Sequence, residues 1–76
     1  MSAAATVYPF TVIGHGDDQH GFWVTVPLER DYDGLLHNHV LLDGTNFAFV
    51  VRVDGALKAG RTVRLYLAPP GRTGAE

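Results

Sequence analysis

A chain of 76 residues makes one domain, and its lack of cysteine removes a disulfide framework, a thiolate metal site and a cysteine nucleophile. The formal net charge of −2 argues against a dedicated nucleic-acid binder, which needs a clear lysine and arginine excess to neutralise phosphates. A domain this small hides only roughly 60% of its unfolded surface, yet 46% of the residues are apolar or aromatic, more than so small an interior needs.

The charges are unevenly spread. Residues 1–46 carry Arg30 against Asp17, Asp18, Glu29, Asp31, Asp33 and Asp43, a balance of −5; residues 47–76 carry Arg52, Lys58, Arg61, Arg64 and Arg72 against Asp54 and Glu76, a balance of +3. Such a dipole suits contact with a second copy or a charged partner. No stretch approaches the roughly 20 apolar residues of a membrane-spanning helix. The N-terminus lacks the basic and apolar regions of a secretion signal. The expectation is a soluble protein acting in the cytoplasm or within an assembly formed there.

In chain order, residues 1–5 read as a flexible arm. Residues 6–13 read as a first strand, with Val7, Thr11 and Ile13 on one face and Tyr8, Phe10 and Val12 on the other. Pro9 cannot donate to a ladder, which makes this an edge. Residues 14–19 (GHGDDQ) read as a turn. Residues 21–28 form a second strand with Phe22, Val24, Val26 and Leu28 inward and Trp23, Thr25 and Pro27 outward; Pro27 marks an edge or a strand end.

After the polar loop 29–34, the segment LLHNHVLL (35–42) reads as a third strand in preference to a short helical turn capped by Asp33. As a strand it puts Leu36, Asn38, Val40 and Leu42 on one face, and the Asp43–Asn46 turn favours that assignment. The hairpin over 47–67 organises the rest. Phe47, Phe49, Val51 and Val53 alternate on one strand; Val63, Leu65 and Leu67 alternate on the next. Pairing Val51 with Val63, Phe49 with Leu65 and Phe47 with Leu67 gives a continuous apolar face, with Arg52, Arg64 and Tyr66 outward. The connection 54–60 places Leu57 over the open end of the sheet. Pro69 and Pro70 stop the last strand, and residues 70–76 read as a second arm. The fold class is all-β: a small five-stranded antiparallel barrel or sandwich of SH3-like or OB-like size, as one domain over residues 1–76.

Enzyme chemistry finds little to work with. The hydroxyls of Ser2, the threonines, Tyr8, Tyr32 and Tyr66 lie in no nucleophile-elbow sequence. Asp17/Asp18 and Asp31/Asp33 fall in loops, where aspartate is favoured for bonding to the backbone. No glycine-rich phosphate loop is present, and so small a barrel has little room for the ~300 Å³ of a small-molecule pocket. No cofactor is expected.

Three other readings remain. His37 and His39 at strand spacing, joined by His15 and His20 from the first turn, would make a zinc-type site if they converged. Trp23 and Tyr66, with Arg52, Arg61 and Arg64, would make a single-strand nucleic-acid surface if their strands adjoin. The preferred reading follows from surplus apolar surface. Half-buried antiparallel strands read apolar on one side and polar on the other, yet the first and third strands are apolar on both. Tyr8, Phe10, Trp23, Leu35, Leu41 and Tyr66 are therefore expected to meet another polypeptide. The function expected is a non-enzymatic structural or assembly module that forms a homo-oligomer or decorates a larger assembly, such as a viral shell or a multisubunit enzyme.

Overall fold

The computed structural model describes residues 7–68; both expected arms and the Pro69–Pro70 stop lie outside the described residues. The described chain is all-β: β1 (Tyr8–Phe10), β2 (Gly14–Asp18), β3 (Gly21–Pro27), β4 (His39–Leu42), β5 (Asn46–Asp54) and β6 (Thr62–Leu67). The six strands form one sheet in the order β1-β4-β5-β6-β3-β2. All neighbours pair antiparallel except β1 and β4, which run parallel. The expected five-stranded antiparallel barrel is thus replaced by an open, mixed, six-stranded sheet.

The sheet is open yet strongly curled. β1 and β2 occupy opposite edges, but only Thr11, Val12 and Ile13 separate them in the chain. Six flat strands would hold the edges roughly 24 Å apart, whereas four Cα steps span at most about 14 Å. The short link must draw the two edges together. It is tied to the strand next to each edge: Ile13 N–H donates to Thr25 C=O of β3 at 2.9 Å, and Val12 N–H donates to Oδ1 of Asp43, just past β4, at 2.9 Å. No ladder joins β1 to β2 among the described residues, so the roll stays unsealed.

Apolar residues collect inside the roll. Val24, Val26 and Leu28 from β3 and its end, and Val63, Leu65 and Leu67 from β6, are buried as their alternation dictates. Leu35, Val40, Leu42 and Val50 complete the opposite wall, with Leu57 packed against them from its connection. Pro9 lies on an edge strand, and Pro27 ends a central one.

Three local readings are corrected. First, residues 14–18 are a strand, not a turn. Gly14 faces Thr25 and Gly16 faces Trp23, and a Cβ on either glycine would fall 2.6 Å from the opposing side chain. The glycines are there for close approach. The turn comes later, at Gln19–His20, where Asp18 Oδ1 accepts the His20 N–H at 2.8 Å and Gly21 takes a φ of 115°.

Second, the β5–β6 register differs from the expected pairing. Val50 faces Leu67, Arg52 faces Tyr66 and Val53 faces Leu65, with Val51 the extra residue of a bulge. The bulge shifts the alternation by one position. Ala48, Val50 and Val53 therefore pack on the core, while Phe47 and Val51 are exposed. Third, only His39–Leu42 of the 35–42 segment is a strand, and no helical turn forms there. Leu36 and His37 make a turn, with a φ of 65° at His37. The Asp43–Asn46 turn does form: Asp43 and Gly44 take φ values of 53° and 78°, the mark of a type I′ hairpin.

Candidate interaction surface

Of the six residues expected to meet a partner, Phe10, Leu35 and Tyr66 are buried within the chain itself and out of a partner's reach. Phe10 and Leu35 belong to the core. Tyr8, Trp23 and Leu41 are half-buried. Tyr8 meets Tyr32 edge-on at 5.3 Å between ring centroids, and Phe10 lies 5.4 Å from the same ring. Arg30 covers Tyr32 at 5.0 Å. These rings serve the chain's own packing at the β1 edge.

The outer face of β2, β3, β6 and β5 holds a compact polar cluster. Register puts Gly16, Trp23, Tyr66 and Arg52 in one row across four strands. The Arg64 guanidinium sits 3.9 Å from the Trp23 ring centroid, and Arg52 sits 5.8 Å from that of Tyr66. Tyr66 donates its hydroxyl proton to Asp18 Oδ2 at 2.8 Å, and Arg64 Nη1 donates to the same hydroxyl at 3.3 Å. Arg64 also pairs with Asp18 at 3.8 Å. Arg61 is exposed in the loop before β6, apart from this row.

This surface brings together Trp23, Tyr66, Arg52 and Arg64, yet it offers no stacking platform. Tyr66 is 2% exposed. Trp23 has Gly16 pressed against its ring and Arg64 laid over it. Arg64 already spends its charge on Asp18. A base would have to displace both contacts to stack.

The cluster instead secures the β2 edge, and acid should loosen it. Asp18 is held below its ordinary value of 3.8, first by the His20 N–H, then by the Tyr66 hydroxyl, with the charges of His20 and Arg64 adding. A carboxyl with a lowered folded pKa binds fewer protons folded than unfolded. Its stabilisation is complete above 3.8 and disappears as pH falls through the lower, folded value. Urea midpoints measured from about pH 5 down to about pH 2 should therefore fall less steeply in Asp18→Asn than in the native chain. Equal slopes would remove Asp18 from the account.

The histidines do not converge. His37 stacks on Phe49 at 6.2 Å, and His39 meets the same ring edge-on at 5.1 Å. His15 lies 6.3 Å from Phe22, and His20 lies 5.8 Å from Tyr66. Among the described residues no three histidine, aspartate or glutamate side chains gather closely enough to hold a metal ion. The expected four-histidine site fails because His37 and His39, before and at the start of β4, gather around Phe49, whereas His15 lies beside Phe22 and His20 beside Tyr66.

The surface that sequence reasoning missed lies at the mouth of the roll. An open groove of about 430 Å³ runs over Val12, Val24, Leu42, Ala48 and Leu67. It is larger than the chain length led one to expect. Phe22 and His15 belong to the β3 and β2 side; Phe47, Asn46 and Asp43 belong to the β4–β5 hairpin. Phe47 is 69% exposed and Phe22 45% exposed. Alternation had assigned both rings to the core. The available signal was position: Phe22 follows the turn glycine Gly21 and Phe47 follows Asn46 at the hairpin, so both stand past the margin of the core. Among the described residues no helix is long and apolar enough to cross a membrane. No protein-family model, curated protein or solved structure matches the chain.

Proposed function

We propose that this protein is a non-enzymatic interaction module, a small β subunit that associates with copies of itself or with a larger protein assembly through the groove at the mouth of its sheet. One observation carries the reading: two phenylalanine rings stand exposed on the two sides of an apolar groove. Water around such rings is costly, and covering them recovers that free energy. An apolar patch rimmed by polar groups, here His15, Asn46 and Asp43, is the pattern of a surface that meets another molecule. The basic outer face, by contrast, is closed by its own ion pair and by the Arg64 guanidinium laid over Trp23.

A photoreactive phenylalanine analogue at position 47 tests the reading. Illumination should give discrete protein adducts from position 47 and none from position 62, an exposed site at the opposite end of β6 from the groove residue Leu67. Failure of position 47 to give a protein adduct, in the purified protein and in extract alike, would end it.

A further inference from the structure

We infer that the groove takes an extended strand of another protein, paired to the free edge of β2 and carrying an apolar residue with a lysine or arginine two positions to either side. The inference rests on the groove being an interaction surface and names the chemistry of its partner.

The backbone supplies the first argument. β2 is an edge of the sheet, and its hairpin with β3 closes on Asp18 opposite Gly21 through the two-residue turn Gln19–His20. Bonded and non-bonded pairs alternate away from such a closing pair, so Gly14, Gly16 and Asp18 bond to β3. His15 and Asp17 turn their N–H and C=O groups the other way, towards the groove. The neighbouring bonds fix that direction. Val12 N–H donates to Asp43 Oδ1 on the side away from β3, whereas Ile13 N–H donates back to Thr25 C=O of β3. Among the described residues no strand pairs with this edge. Two free donors and two free acceptors in a row are a template for one more strand.

Side chains supply the second argument. His15 faces Val24 and Asp17 faces Phe22 across the ladder, and His15, Phe22 and Val24 all line the groove. A strand added here keeps the same alternation, so every second residue looks into the groove. One of these, if apolar, covers Val24, Leu42 and Leu67 between the exposed rings of Phe22 and Phe47. The next ones along meet carboxylates, Asp17 on the β2 side and Asp43 on the hairpin side. Neither is ion-paired: the two pairs among the described residues are Lys58 with Asp31 and Arg64 with Asp18. No lysine or arginine lines the groove. The rim is therefore complementary to cations. The sequence itself holds no such segment, because none of Arg30, Arg52, Lys58, Arg61, Arg64 and Arg72 stands four positions from another. A different protein must supply it.

The test titrates the native chain with the acetylated, amidated heptapeptide TKTLTKT, followed by amide NMR. Binding should be measurable below about 1 mM, with the amides of His15 and Asp17 shifting and gaining exchange protection while position 62 stays unchanged. The peptides TETLTET and TKTTTKT should each bind at least tenfold more weakly. Methylating the backbone nitrogen of the leucine, or of the residue after it, should remove binding in at least one case, because alternate N–H groups of a strand point to β2. Asp17→Lys, at an exposed position, should weaken TKTLTKT and strengthen TETLTET. No binding at millimolar peptide overturns the inference. So does equal affinity for TKTLTKT and TETLTET, or tolerance of both methylations. If the peptide fails while the photoreactive residue at position 47 captures proteins, the interaction surface stands and only strand addition falls. If both experiments are empty, both readings fall.

Discussion

Leu35→Ala should lower the unfolding free energy by about 3 kcal/mol, within the range for a buried leucine whose cavity cannot collapse. Leu35 is fully buried although it belongs to no strand. The backbone around it is fixed from two directions. Asn38 N–H donates to Leu35 C=O at 3.1 Å, Asn38 Nδ2 donates to Gly34 C=O at 3.2 Å, and His37 N–H donates to Val50 C=O at 2.7 Å. A loop so anchored cannot sink into the vacated space. Domains of this size hold only roughly 5 kcal/mol in total, so the loss removes more than half of it. Leu36→Ala, one residue away and exposed, should change stability by less than about 0.5 kcal/mol. Urea unfolding measures both. The pair of variants also separates two roles for Leu35: a partner residue would alter association and leave the monomer intact. A cost below about 1 kcal/mol for Leu35→Ala would show that this loop is not part of the core.

Gly16→Ala should have the second-largest effect, and it should be visible in fluorescence. The new Cβ would lie 2.6 Å from Trp23 Cζ2 and 3.1 Å from both Cε2 and Cη2. A rigid ring cannot yield at one atom; it must move as a whole. Moving it breaks the 3.9 Å stack with Arg64, and Arg64 in turn holds Tyr66 and Asp18. Forcing an extra carbon into a filled site costs about 1–3 kcal/mol. Trp23 is the chain's one tryptophan, so its emission should shift to the red as the ring is pushed toward water. In a Trp23→Val background the same alanine meets no ring, and its cost should largely vanish. Additive costs with unchanged emission would mean that Gly16 does not seat the ring.

Much of the chain announces its own structure, and the failures share a cause. β3 and β6 were legible because each has one apolar face and one mixed face, so alternation has a single solution. Asp43–Gly44 was legible because few residue pairs accept two positive φ values. β5 was not, because Phe47, Phe49 and Val51 on one face and Ala48 and Val50 on the other are all apolar, and a bulge at Val51 then changes the phase. β2 was hidden by glycines that serve Trp23 across the ladder, while the same residue type in a local reading signals a turn. Phe22 and Phe47 were assigned to the interior because alternation reports which way a side chain points and not how far the core extends. The two exposed rings that flank the groove were consequently not among the residues picked out for a partner, of which Phe10, Leu35 and Tyr66 are buried.

The amino-acid sequence by itself determined that this is an all-β chain, that β3 and β6 bury their valines and leucines, that Pro9 lies at an edge, and that more apolar surface exists than one small roll needs. Those properties follow from side-chain type, proline chemistry and the two-residue strand period, all of which are local. Tertiary structure alone decided that three residues link opposite edges of the sheet, that Leu35 and Tyr66 are hidden, that the histidines stay apart, and that Phe22 and Phe47 stand on the two sides of an open groove. Each of these depends on which distant backbone a strand finds as its neighbour, a choice made by the curl of the whole sheet.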